Sequence, residues 1–152
     1  MMTEDECRAA LKAHIAAERA RDLDGIMETV SDDVYFIIPG LELRGKPAVR
    51  ALYAQAMPNL TEANADEYLR AMDDPAVATW GPELLIVAYD NTYPLHYGMF
   101  VVTHFSQGKV KSEHTFINVT PNSASAEPQL GAFAGVPGVR PVRPLPGSYI
   151  RV

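Results

Sequence analysis

Few residues in this chain combine a reactive type with a setting that could move a proton, and His14 and Glu113 are foremost among them. His14 lies one helical turn beyond Leu11 and beside Ile15, so on a helix it borders the apolar stripe and faces whatever that stripe packs against. An imidazole placed there can donate to, or accept from, a ligand oxygen near neutral pH. The plainer alternative is a half-exposed histidine paired with Glu18 one turn on. Glu113 follows the turn Ser106-Gln107-Gly108. A three-residue turn there sets Phe105 opposite Lys109, and hence Val101 opposite Glu113, Met99 opposite Thr115 and Tyr97 opposite Ile117. A carboxyl among such apolar neighbours has a raised pKa and can serve as general acid or base. The alternative is a solvated glutamate paired with Lys111 or Arg44. A slip of one residue reverses every facing and exchanges Glu113 for His114. Tyr53, Trp80 and Tyr97 carry rings that could stack on, or hydrogen-bond to, a ring-shaped ligand, and each serves equally well as ordinary packing.

The elements that must position these groups follow from periodicity. Between Glu4 and Arg21 the residues Cys7, Ala10, Leu11 and Ile15 recur at helical spacing behind Thr3 as cap. Asp22 caps a second short helix, Leu23 to Val30. The run Val34 to Ile38 is β-branched or aromatic throughout and stops at Pro39-Gly40, which predicts a strand covered on both faces. Leu41 to Arg44 is its hairpin return, Gly45-Lys46-Pro47 opens a third helix, and Thr61 caps a fourth that reaches Met72. Glu83–Tyr89, Leu95–Phe105 and Lys109–Val119 then read as a three-stranded antiparallel meander. Past Thr120 the chain turns to Pro, Gly, Ser and Ala, too proline-rich for a central strand. Phe133, Leu145, Tyr149 and Ile150 favour a docked arm, serving as a lid or crossing a dimer partner, over a solvated tail.

Length and composition narrow the functions available. At 152 residues one core is expected, spanning residues 1–120, with 121–152 an arm rather than a second domain. A net charge of -6 with scattered basic residues argues against nucleic acid as a partner. No run approaches the ~20 apolar residues that cross a bilayer, and the charged start lacks a signal peptide's apolar core, so a cytoplasmic location is expected. A lone Cys7 makes neither a disulfide nor a cysteine-rich zinc site. No phosphate loop, nucleophile elbow or metal-ligand motif occurs, so no cofactor and no metal are expected.

Two helices, a strand opening on Ser31-Asp32-Asp33, a helix opening on Gly45-Lys46-Pro47 and a closing meander with a Gly108-Lys109-Val110 hairpin together carry a resemblance. Over residues 4–119 the chain resembles the SnoaL-like, ketosteroid-isomerase-like family of the nuclear transport factor 2 superfamily. The resemblance implies an α+β fold in which a cone-shaped, curved antiparallel sheet wraps against N-terminal helices, a cystatin-like α+β barrel binding an apolar small molecule inside. It places His14 where steroid isomerases carry a tyrosine, and Ile38 and Val101 where they carry two aspartates. It also puts Glu113, Thr115, Ile117, Val101 and Tyr97 on the concave face. Polyketide cyclases of the family often close on Glu-His-Trp-Asp, of which Glu113-His114 keeps the first half.

Two functions are therefore expected to compete. One is a cofactor-free isomerase, cyclase or dehydratase, with His14 and Glu113 as acid/base partners and Tyr97 orienting a substrate held by Ile38, Tyr53, Trp80, Val101, Thr115 and Ile117. The other is a module that binds a ligand without reacting. His96, His104 and His114 share the convex face with Phe100, Val102 and Phe116, and that face predicts a homodimer rather than a zinc site.

Overall fold

The structure, a computed structural model, describes residues 1–91, 97–118 and 133–141. The helices form where the caps predict them. Helix α1 (Glu4–Arg19) opens on a capping box, in which the Thr3 side chain accepts from the Glu6 backbone and the Glu6 side chain accepts from that of Thr3. Its buried stripe is Cys7, Ala10, Leu11, His14 and Ile15. Helix α2 (Leu23–Thr29) is capped by Asp22 and runs straight into strand β1 (Val30–Ile38). The turn at Pro39-Gly40 returns the chain as β2 (Leu41–Arg44), which leads into α3 (Gly45–Ala56). A single 3-10 turn (Met57–Asn59) separates α3 from α4 (Glu62–Asp73), whose cap is Thr61.

The remaining strands are β3 (Ala78–Gly81), β4 (Leu84–Asn91), β5 (Tyr97–Ser106), β6 (Lys109–Asn118) and β7 (Val139–Pro141). One seven-stranded sheet runs β3-β4-β5-β6-β1-β2-β7, curved and unclosed. Its pairings are antiparallel except β1 beside β6. That parallel contact brings the first strand against the last of the meander; α3 packs on β1 and β2, while α1 and α4 lie against β6 and β4 of the meander. Leu85, Val87, Val101, Thr103, Phe105, Val34 and Phe36 are buried on this concave side. The other parity leaves Phe100 and Phe116 42% and 53% exposed, with ring centroids 6.0 Å apart, on an open convex face.

Three features depart from the sequence reading. Strand β3, absent from it, pairs with β4 across a turn in which Glu83 takes a left-handed conformation (φ 55°). Its four residues lie between Pro75 and Pro82 and include a glycine, so they carry no strand signal.

The second departure is the β5–β6 register. The loop is two residues, with Gln107 and Gly108 both at positive φ and Ser106 opposite Lys109. Phe105 follows in register opposite Val110, and a shift beyond it sets His104 opposite Ser112, which leaves Lys111 as the extra residue of a bulge. Val101 therefore faces Thr115 rather than Glu113, Thr103 faces Glu113, and Met99 pairs with Ile117. The shorter turn and the bulge each move the pairing by one residue in the same direction. Their sum is two, so each side chain keeps the face the sequence predicts.

The third is the arm, which adds to the sheet of its own chain. Strand β7 lies on β2 with Pro141 at the sheet's outer edge, where a missing N–H is tolerated. Gly138 makes this docking possible: its φ is +83°, and a Cβ there would lie 2.1 Å from the Arg44 carbonyl oxygen. Arg44 in turn donates its backbone N–H to Gly138. Among the described residues no helix is long and apolar enough to cross a membrane.

Candidate functional site

A cavity of about 580 Å³ opens between the concave sheet and helices α1, α3 and α4. Leu11, Ile15, Phe36, Leu52, Met99 and Val101 supply its apolar wall. His14, Glu18, Tyr53, Tyr68, Tyr89 and Glu113 supply polar groups, and Gln55, Asn59 and Asn64 add three amides. A concave chamber that joins an apolar wall to convergent polar side chains is a usual form of small-molecule site.

His14 is only 2% exposed, and both its ring nitrogens are engaged. Nδ1 lies 2.6 Å from the Thr29 hydroxyl, which itself donates to the Ile26 carbonyl at 2.6 Å. With its proton committed there, Thr29 accepts from His14, and Nδ1 carries hydrogen in either charge state. Proton exchange is thereby confined to Nε2, which meets the Tyr53 hydroxyl at 2.7 Å and Glu18 Oε1 at 3.3 Å. Burial works against the imidazolium, but the hydrogen bond and charge of Glu18, aided by the charge of Glu113, outweigh it and raise His14 above its ordinary pKa. Burial likewise pushes Glu18 up, and the His14 hydrogen bond and charge bring it below its usual value. The Tyr53 hydroxyl is held well above its ordinary pKa, by burial first and then by the charges of Glu18 and Glu113, and so remains a donor.

Glu113 faces the same cavity from β6. Thr115 Oγ1 donates to its Oε1 at 3.2 Å. Burial raises its pKa from 4.5 to about 6; attraction to His14 and the Thr115 bond oppose the rise, while the charge of Glu18 adds to it. A carboxyl so placed can both hold and release a proton near neutrality.

The residues predicted from sequence divide into three groups. His14, Glu113, Tyr53 and Val101 line the cavity. Ile38, Trp80 and Thr115 do not: Thr115 is buried behind Glu113, and Ile38 packs on the core beyond Phe36. Trp80 donates from Nε1 to the Met72 carbonyl at 2.9 Å, stacks on Phe105 and carries the Arg8 guanidinium on its ring, so its surface is spent on packing. The side chains of Tyr97 and Ile117 lie outside the described residues, as does His96. Tyr68, Tyr89, Phe36 and Phe133 line the site without having been singled out for it. Helical spacing already placed Tyr68 on the apolar face of α4, and strand parity puts Tyr89 with Leu85 and Val87; Phe133, from beyond the meander, had no such signal.

These shifts set a pH dependence of stability. Glu113 binds its proton more tightly folded than unfolded, so its contribution is full below 4.5 and is lost as pH rises through about 6. His14, also raised, contributes fully below 6.5 and loses its contribution at higher pH, whereas Glu18, lowered, contributes above its ordinary range and loses this as pH falls. Glu113→Gln removes the first of these and, by taking away the Glu113 charge, lessens the second. Urea melts at pH 4 and pH 8 should show the variant gaining on the wild type by up to about 2 kcal/mol at the higher pH. Parallel pH profiles for the two proteins would show that Glu113 is solvated.

No curated protein matches the chain. Among solved structures, a nuclear transport factor 2-like protein of unknown function from Burkholderia xenovorans superposes with a TM-score of 0.52 at 20% identity, over 86% of this chain and 95% of the other. A candidate polyketide cyclase from Sinorhizobium meliloti gives 0.53 at 11% identity over 76% and 100%. A candidate ketosteroid isomerase from Kribbella flavida gives 0.53 at 9% identity over 83% and 87%. At such identities the likeness is one of fold. The profile of the SnoaL-like domain matches residues 11–113, a span that runs from the buried stripe of α1 to Glu113, and the chain belongs to that family.

Proposed function

We propose that the protein performs cofactor-free proton transfer on an apolar, carbonyl-bearing small molecule, as an isomerase, cyclase or dehydratase. One observation carries this reading: Glu113 and the His14–Glu18–Tyr53 cluster stand in the wall of a single cavity beside an apolar wall. As carboxylate, Glu113 takes a proton from carbon next to the carbonyl, leaving the electron pair as an enolate, and returns it at a second position. His14 exchanges its Nε2 proton with substrate oxygen, while Thr29 fixes the ring and Glu18 stabilises the imidazolium. Tyr97, at the start of β5, is assigned to orient the substrate. A ligand-binding module is the second reading, favoured by the apolar Ile38 and Val101 at the positions where the resemblance to steroid isomerases calls for carboxylates.

The convex face, with Phe100 and Phe116 in the open, is read as the contact with a second copy of the chain. Sedimentation at micromolar concentration should give a dimer, and a single species of 16.6 kDa would refute it.

Turnover is to be sought among polycyclic ketones and enones. With a substrate in hand, Glu113→Gln and His14→Phe should each lower kcat/KM by about two to four orders of magnitude. The double variant should be little worse than either, since both groups act in one proton-transfer step. The wild-type rate should rise with pH through about 6 as Glu113 ionises. Unaltered rates in both single variants, or tight binding with no turnover, would establish the binding module instead.

A further inference from the structure

Three tyrosines line the cavity, and the hydroxyls of all three are occupied or buried. That of Tyr53 meets His14 Nε2, that of Tyr89 donates to Met99 Sδ at 3.3 Å, and that of Tyr68 is buried beside Thr103. What the tyrosines offer a ligand is therefore ring rather than hydroxyl. Phe36, the neighbour of Glu113 across the β1–β6 pairing, adds a fourth ring, 6.3 Å from that of Tyr53, and the rings of Tyr68 and Tyr89 lie 5.5 Å apart. Among these rings the charges do not balance. Glu18 is paired with His14, whereas Glu113 has only Thr115, which donates to Oε1 at 3.2 Å. No donor among the described residues reaches Glu113 Oε2, and no lysine or arginine among them lines the cavity. Two carboxylates thus face one imidazole, and a carboxylate drawn out of water without a cation beside it is costly.

From this arrangement we infer that the cavity takes a ligand carrying a protonated amine on an apolar body, with the ammonium set against Glu113 and among the rings of Phe36, Tyr53 and Tyr68. The inference rests on reading the cavity as a small-molecule site, and it adds a charge to that reading. An ammonium supplies the cation that Glu113 lacks and donates to its open oxygen. Aromatic faces attract the same group through their quadrupoles, most strongly where water is excluded, and rings around a carboxylate therefore favour an amine over a neutral group of the same size. The net charge of -6 on the chain favours the approach of cations in the same sense. Where the ligand is an amino ketone, the carbon between nitrogen and carbonyl stands next to the cation, so one carboxylate serves both to hold the ammonium and to take the neighbouring proton.

The test uses the full chain and two probes of nearly the same shape, 2-aminotetralin, which is a cation at neutral pH, and 2-tetralol, which is neutral. Calorimetry at pH 8 should show the amine bound about ten- to a hundredfold more tightly, the span of a hydrogen bond to a charged partner. Glu113→Gln should abolish that preference by weakening the amine and leaving tetralol unchanged. Tyr68→Leu, which removes a ring, should weaken the amine about three- to tenfold with little effect on tetralol, whereas Tyr68→Phe, which keeps the ring, should preserve the preference. These two variants stand in if the first folds poorly. The titratable groups facing Glu113 are His14 and Glu18 of α1, Tyr53 of α3 and Tyr68 of α4. The tyrosines stay neutral, while protonation of Glu113 at about 6 and of His14 both oppose a cation. Amine binding should therefore weaken on acidification and tetralol binding stay level. Equal affinity for the two probes in the wild type, or a preference for the amine that survives in Glu113→Gln, would overturn the inference and leave the pocket reading intact. Failure of both probes to bind the wild type would remove the two together.

Discussion

A histidine buried to 2% exposure needs a partner for each ring nitrogen, and the ways His14 obtains them hold much of this molecule in place. Thr29 comes from the end of α2, Tyr53 from the middle of α3, and Glu18 from one turn further along α1. Three helices are thus tied to one imidazole. The packing beneath them is apolar and tolerant of small shifts, whereas these polar contacts fix distance and direction. Because α2 feeds directly into β1, and β1 runs beside β6, the same ties set where Glu113 stands relative to His14. The two titratable centres are therefore coupled through the fold as well as by charge. A His14–Glu18 pair at the cavity wall is not a device for stability, since burying both ions costs about as much as their attraction returns. Its presence is better understood as a means of keeping a proton donor and acceptor ready beside an apolar wall.

Much of this was legible in the sequence, for reasons that differ between elements. The capping signals at Thr3, Asp22 and Thr61 are local chemistry, and all three caps form. The inward facing of Glu113 was also anticipated, though by a route the structure corrects. The turn was read one residue too long and the bulge at Lys111 was not foreseen, and the two displacements together preserve parity. Either alone would have turned Glu113 outward and His114 inward. A bulge depends on what the neighbouring strand requires: Lys111 reaches across to pair with Asp33 on β1, a contact that only the parallel β1–β6 arrangement creates.

What could not be read was which polar groups would meet. Tyr68 sits on a helix face where any large apolar residue would serve, and nothing in its spacing says that its hydroxyl ends beside Thr103. Glu18 was visible only as a companion for a surface histidine; the structure keeps that pairing but moves it into the cavity wall, with Glu18 22% exposed. Trp80 shows the converse. An aromatic in a proline-flanked segment suits a pocket mouth, but the unforeseen strand β3 turns it onto Phe105 and beneath Arg8. Phe133, 5% exposed, reaches the site only because β7 docks on β2, which depends on the glycine at 138 and not on any pattern near Phe133.

The central claim is that Glu113 shares a cavity with His14 and is held near neutrality by burial, against the opposing attraction of His14. Carbon-13 NMR titration of the glutamate carboxyls, with Glu113 assigned by its loss in Glu113→Gln, tests this most directly. The account predicts a Glu113 titration at about 6 that moves to still higher pH in His14→Phe, where the opposing attraction is gone. A Glu113 resonance titrating in the ordinary carboxylate range, about 4.3, and unmoved by His14→Phe would contradict it.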